Sequence, residues 1–151
     1  NNPVLFRNQG DFKFINANTE AKLEGLGTTY QAAWADFDND GDLDLMSAGR
    51  FFVNNNENNN HWLKVQLLSN KKTINRFAVG AQVRVTLKDG RILSRQVESG
   101  TGQGNQNDLV LHFGLGSNND PVDLNIFWPD GSTETLKQVQ IDQRLKIETK
   151  S

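Results

Sequence analysis

Apolar side chains in this chain recur at every second position and almost nowhere at helical spacing. Leu63, Val65 and Leu67 alternate with Lys64 and Gln66, and Ala81, Val83, Val85 and Leu87 alternate with Gln82, Arg84, Thr86 and Lys88. Leu109, Leu111 and Phe113 form a third set, Val122, Leu124, Ile126 and Trp128 a fourth, and Leu145 and Ile147 a fifth. Successive strand side chains point to opposite faces, so each run reads as a half-buried antiparallel strand with one wet face. Asp89-Gly90 separates two such runs by two residues, a strong hairpin signal, and Pro129-Asp130-Gly131 ends another. The one helix-like piece, Thr19 to Leu23, is short and is followed by Gly25 and Gly27. The pattern predicts an all-β fold, sandwich or barrel.

A change of texture divides the chain. Asn54 to Asn60 holds six asparagines in seven positions, and Asn favours turns. We place a boundary there, giving a front unit of residues 1–58 and a sandwich-like domain of residues 59–151. The front unit alone buries too small a fraction of its surface to be comfortable without metal, partner or neighbour. The start, Asn1-Asn2-Pro3, has neither Met nor hydrophobic leader and suggests a processed form or an excerpt. With no cysteine, disulfides, thiol catalysis and Cys-based zinc sites are excluded. A net charge of −2 argues against a nucleic-acid binder. No apolar run approaches the roughly 18 residues of a membrane helix, and no Asn-x-Ser/Thr sequon occurs.

The charge is concentrated. Asp36-Phe37-Asp38-Asn39-Asp40-Gly41-Asp42-Leu43-Asp44 carries −5 in nine positions, which leaves +3 on the rest of the chain. Two unit charges about 4 Å apart repel by roughly 4 kcal/mol at an effective dielectric of 20, so these carboxylates splay the loop unless a cation sits among them. Carboxylates at loop positions 1, 3 and 5, Gly at 6 and an oxygen at 9 wrap hard ligands around one point, and six or seven oxygens suit Ca2+ better than magnesium. The expected ligands are the side chains of Asp36, Asp38, Asp40 and Asp44 and the backbone carbonyl of Asp42. This is not an EF-hand: position 12 is Ser47 where that loop needs Glu, and the flanks Ala32–Ala35 and Leu43–Ala48 read as strands.

Leu5-Phe6-Arg7-Asn8-Gln9-Gly10-Asp11-Phe12 followed by AAWADFDNDGDLDLMSAG resembles an FG-GAP/VCBS-type repeat. Such repeats form blades of integrin-α-like β-propellers and carry a DxDxDGxxD calcium loop. Downstream, NHWLKVQL, NRFAVGAQVRV, ESGTGQGNQND, LHFGLG and WPDGS resemble, in order, the ASPIC/UnbV domain of the cartilage acidic protein-like family. The resemblance implies a single propeller-blade-like β unit before a β-sandwich-like domain, calcium as cofactor, no catalytic activity, and a secreted or cell-surface location. The Cys-bearing module that follows in animal relatives is absent, which points to a bacterial-type version. One blade is fewer than the roughly three stacked repeats that stability requires. The partners implied are the rest of a longer propeller chain, the second domain, or other copies of this chain joined into fibres through open strand edges.

These expectations point to a non-enzymatic, calcium-stabilised extracellular module for adhesion or assembly, and two other functions compete with it. A carbohydrate-binding module would present Trp34, Trp62 or Trp128 with Asn side chains to a glycan, although Trp at a strand end more often packs in a core or interface. A cryptic hydrolase or accessory domain would draw on Ser99, His112 and Asp108, but no nucleophile elbow supports it. His61 and His112 read as structural hydrogen-bonders. Gly100-Thr101-Gly102-Gln103-Gly104 lacks the Lys-Ser/Thr of a phosphate loop and reads as a tight loop. Phe51-Phe52-Val53 reads as a short strand, covered on both faces or lying at an exposed edge.

Overall fold

The computed structural model describes residues 3–55 and 58–149. Asn56, in the boundary stretch, and Asn1 and Asn2 at the start lie outside the described residues. Among those described there are strands and no helix. The first five strands are β1 (Phe6–Asn8), β2 (Phe14–Asn16), β3 (Ala32–Ala35), β4 (Asp44–Ser47) and β5 (Arg50–Phe52). They form a β1–β2 hairpin and an antiparallel sheet of order β3-β4-β5. Residues from 61 onward form β6 (His61–Leu68), β7 (Gln82–Thr86), β8 (Ile92–Gln96), β9 (Leu111–Gly116), β10 (Val122–Phe127), β11 (Thr133–Val139) and β12 (Gln143–Glu148). Their sheets run β11-β10-β7-β8 and β12-β6-β9.

These two sheets enclose the main core through the alternating residues. Leu63 and Val65 of β6, Val83 and Val85 of β7, Phe113 of β9 and Leu124 and Ile126 of β10 are all fully buried in one cluster. Fully burying each such side chain is worth about 1.5–3 kcal/mol, which makes this domain the stable part of the chain. Both expected turns form with the same wiring. Leu87 N donates to Arg91 O and Gly90 N to Leu87 O; Trp128 N donates to Ser132 O and Gly131 N to Trp128 O. Gly90 and Gly131 take φ of +86° and +84°, a left-handed backbone that glycine adopts without a Cβ penalty.

Three expectations need correction. The segment Thr19 to Leu23 is not helical. Leu23 N donates to Asn18 O and Lys22 N to Thr19 O, with Lys22 at φ +53°, so the chain goes directly into a helix-ending motif. A single turn is too short to propagate against the cost of nucleation. The second correction concerns β12, which pairs with β6 in parallel, from Gln143↔Leu63 to Glu148↔Leu68. The chain crosses from one sheet to the other after β11, and Asp142 pins the entry: its N–H donates to Trp62 O, and its Oδ1 accepts from Trp62 N. The third is the wet face of β6, where Lys64 is buried. The acidic loop covers that face.

The front sheet is held at a second place. Asn107 Oδ1 accepts from Trp34 N at 3.0 Å, Asp108 N donates to Trp34 O at 3.1 Å, and Asn105 Nδ2 donates to Ala32 O at 2.6 Å. The loop before β9 thereby occupies the outer edge of β3. At the opposite edge of this sheet β5 carries no further strand among the described residues, so Phe51-Phe52 lies at an exposed edge.

Candidate metal centre

The acidic loop joins β3 to β4 and is shaped by its own carboxylates. Gly41 N donates to Asp36 Oδ2 at 3.1 Å, Asp40 N to Asp38 Oδ1 at 3.3 Å and Asp42 N to Asp40 Oδ1 at 2.9 Å. Asn39 and Gly41 sit at φ of +64° and +99°, left-handed positions at which the segment curls back on itself. Asp36, Asp38 and Asp40 each bring a carboxylate oxygen within 4.8 Å of the other two. Asp42 and Asp44 do not join this group. Asp44 is buried, its Oδ2 accepting from Phe37 N and its Oδ1 from Asn54 N, so it staples the two ends of the loop. Asp42 accepts from Asn58 Nδ2 at 3.4 Å. Burial pushes the Asp42 carboxyl above the usual carboxylate range, and the charge of Asp40 adds to the effect.

One atom of the cluster is unsatisfied. Asp36 Oδ1 is buried and finds no hydrogen-bond partner among the described residues. An unpaired charged oxygen away from water is costly, and a bound cation satisfies it. The donor set is all carboxylate oxygen, which fits a hard divalent ion such as calcium.

Sequence reading missed the other side of the site. The Lys64 ammonium donates to Asp36 Oδ2 at 2.9 Å and to Asn39 Oδ1 at 2.8 Å, and lies 5.9 Å from the centroid of the Trp62 ring. His112, the register partner of Lys64 on β9, donates from Nε2 to Gly41 O at 2.6 Å. The carbonyl acceptor fixes the tautomer with hydrogen on Nε2. A Cβ on Gly41 would overlap the Trp62 indole. Trp62, Lys64 and His112 thus form a seat for the loop on the outer face of the β12-β6-β9 sheet. No signal in the loop's spacing points to them, because Trp62, Lys64 and His112 lie well downstream of the loop in the chain.

The remaining candidates are placed as follows. Both histidines hydrogen-bond, His61 Nδ1 pairing with Asp142 Oδ2 at 2.7 Å. Trp128 belongs to the core, Trp62 packs against the acidic loop, and Trp34 lines an open groove. Asp108 Oδ1 accepts from Val110 N and His112 is engaged with Gly41 O, so these two are occupied elsewhere than in a triad with Ser99. Gly102 and Gly104 pack against the side chains of Asn105 and Gln31, as a tight loop requires.

Comparison with known proteins finds two families matching this chain. The family described as "FG-GAP-like repeat" matches residues 1–47, and the family described as "ASPIC and UnbV" matches residues 71–151. The chain belongs to the ASPIC/UnbV family. This ASPIC/UnbV chain is 32% identical to human cartilage acidic protein 1 over 136 residues, 85% of this chain and 20% of that protein. Cartilage acidic protein 1 of Xenopus tropicalis is 31% identical over 143 residues, 88% of this chain and 21% of that protein. The ASPIC/UnbV chain therefore spans about a fifth of the length of these relatives. No helix among its described residues is long and apolar enough to cross a membrane.

Proposed function

We propose that this chain is a non-enzymatic, calcium-stabilised module of the cell exterior that serves adhesion or assembly. Residues 1–58 are its ion-binding front unit and residues 59–151 the sandwich that carries it. The observation that supports this most is the convergence of Asp36, Asp38 and Asp40 around a buried carboxylate oxygen with no partner. Asp36, Asp38 and Asp40 would hold the ion through their side chains and Asp42 through its backbone carbonyl, while Asp44 closes the loop. When bound, calcium supplies a divalent charge that neutralises the cluster; the chain's own residues shape the loop and tie β3 to β4. Extracellular modules of this kind bind calcium with dissociation constants of about 10⁻⁴–10⁻³ M, so the site would be filled outside a cell and mostly empty in cytosol. Relatives named for an acidic cartilage protein are in keeping with this placement. Other copies of the chain, or further repeat units, are the partners that the open edge of β5 favours.

Melting curves test the reading. Calcium should raise the melting temperature relative to chelator, and Asp38→Ala or Asp40→Ala should abolish the difference. Identical curves with calcium and with chelator would remove the calcium reading.

A further inference from the structure

Asp36 divides its two oxygens between two environments. Oδ2 receives the Lys64 ammonium and Gly41 N, and Oδ1 has no partner among the described residues. Both partners of the ion pair are enclosed, with the Lys64 side chain 3% exposed and that of Asp36 1%. We propose that Lys64 is a resident counter-cation of the loop, delivered by the sandwich, that stays in place when calcium binds and sets the affinity of the site low. The inference rests on the calcium reading above and goes beyond it. Neither the loop's spacing nor the family resemblance assigns a role to this lysine.

Charge counting favours coexistence over replacement. Three converging carboxylates carry −3, and one ammonium leaves −2, the charge that one divalent ion cancels. The geometry agrees. Lys64 has a second acceptor in Asn39 Oδ1, which points at it because Asn39 adopts a left-handed backbone, and the Trp62 ring faces the ammonium. Lys64 is thus anchored independently of Oδ1 and need not leave for an ion to reach it. Asp36 is left as a one-oxygen ligand. Two cations sharing one carboxylate repel, so the lysine weakens calcium binding. In return it keeps Asp36 compensated when the ion is gone, because a buried carboxylate that loses its only charge partner is strongly destabilising. Since Lys64 lies on β6 and Asp36 follows β3, the same pair couples ion occupancy to the seating of the front unit on the sandwich.

Calorimetric titration with calcium chloride, paired with melting in calcium and in chelator, tests this on the wild type, Lys64→Met and Lys64→Gln. Lys64→Met should tighten calcium by about ten-fold, as expected for removing a unit charge that would share the Asp36 carboxylate with a divalent ion, even at near-water dielectric. It should also lower the melting temperature more in chelator than in calcium, widening the gap between the two curves. Lys64→Gln, which keeps a hydrogen-bond donor, should change both in the same direction. Wild-type binding with unchanged or weaker affinity in both variants overturns the inference and leaves the calcium reading standing. No binding heat in any of the three proteins overturns both. Variants that fold in calcium and not in chelator support the inference, because the metal then stands in for the missing ammonium. Variants that fold in neither overturn it, leaving Lys64 a structural ion pair.

Discussion

At the scale of single residues, the acidic loop is a contest between repulsion and enclosure, and Gly41 is where the enclosure is tightest. Its φ of +99° suits glycine, its carbonyl accepts from His112, and its Cα lies against the Trp62 indole. Gly41→Ala meets both backbone strain, on the order of 1–3 kcal/mol, and overlap of the new Cβ with the Trp62 indole. Denaturant unfolding should show a loss of about 2 kcal/mol or more, and calcium titration a weakened site. The ligand spacing of this loop is legible because Asp36, Asp38 and Asp40 are neighbours and their geometry is a property of one turn. Lys64, Trp62 and His112 are illegible for the opposite reason. They meet the loop only through tertiary folding, and in the sequence Lys64 reads as the solvent-facing phase of an alternating strand.

At the scale of elements, the sandwich follows its hydrophobic alternation closely, because a strand buried on one face has one register that keeps apolar groups inside. Leu124, fully buried on β10, should cost about 2–5 kcal/mol when replaced by Ala, read as a drop in the denaturant midpoint. The parallel pairing of β12 with β6 was not legible, since Leu145 and Ile147 specify a face and not a direction; the direction comes from Asp142 at the crossover. Carboxylates staple several elements from outside. The Arg91 backbone N–H holds the Asp89 carboxyl below the usual range, Lys137 does so for Asp123, the Ser132 hydroxyl for Asp130 and Arg76 for Glu148. Groups with depressed folded-state values contribute fully above their unfolded values near pH 4, and the contribution fades as pH falls through the lowered values. The raised Asp42 carboxyl works the other way and gains stability as it protonates, so melting temperature in chelator should hold or rise slightly from neutral to about pH 5 and decline only below about pH 4. A decline that begins near pH 7 would place the sensitive groups elsewhere.

At the scale of the whole molecule, a well-enclosed sandwich carries a front unit that remains partly open. Between the β1–β2 hairpin and the β3-β4-β5 sheet runs a groove of about 740 Å³, lined in part by Leu5, Phe6, Leu23, Trp34, Leu45 and Phe52. Phe37 and Phe51 stack edge to face at 5.1 Å while both remain exposed. The assembly reading predicts that sedimentation velocity in calcium shows a coefficient rising with protein concentration. Phe51→Lys, which places a charge on the open edge strand, should suppress that rise. A monodisperse monomer throughout the series would leave adhesion to a foreign partner. The grip of Asn105, Asn107 and Asp108 on β3 makes this growth lopsided. One flank of the front sheet is already stoppered by its own chain, so strands can be added only at the other. Two copies that meet edge to edge along β5 satisfy each other about a two-fold axis and leave no second edge to extend, so this contact by itself closes a pair and stops there.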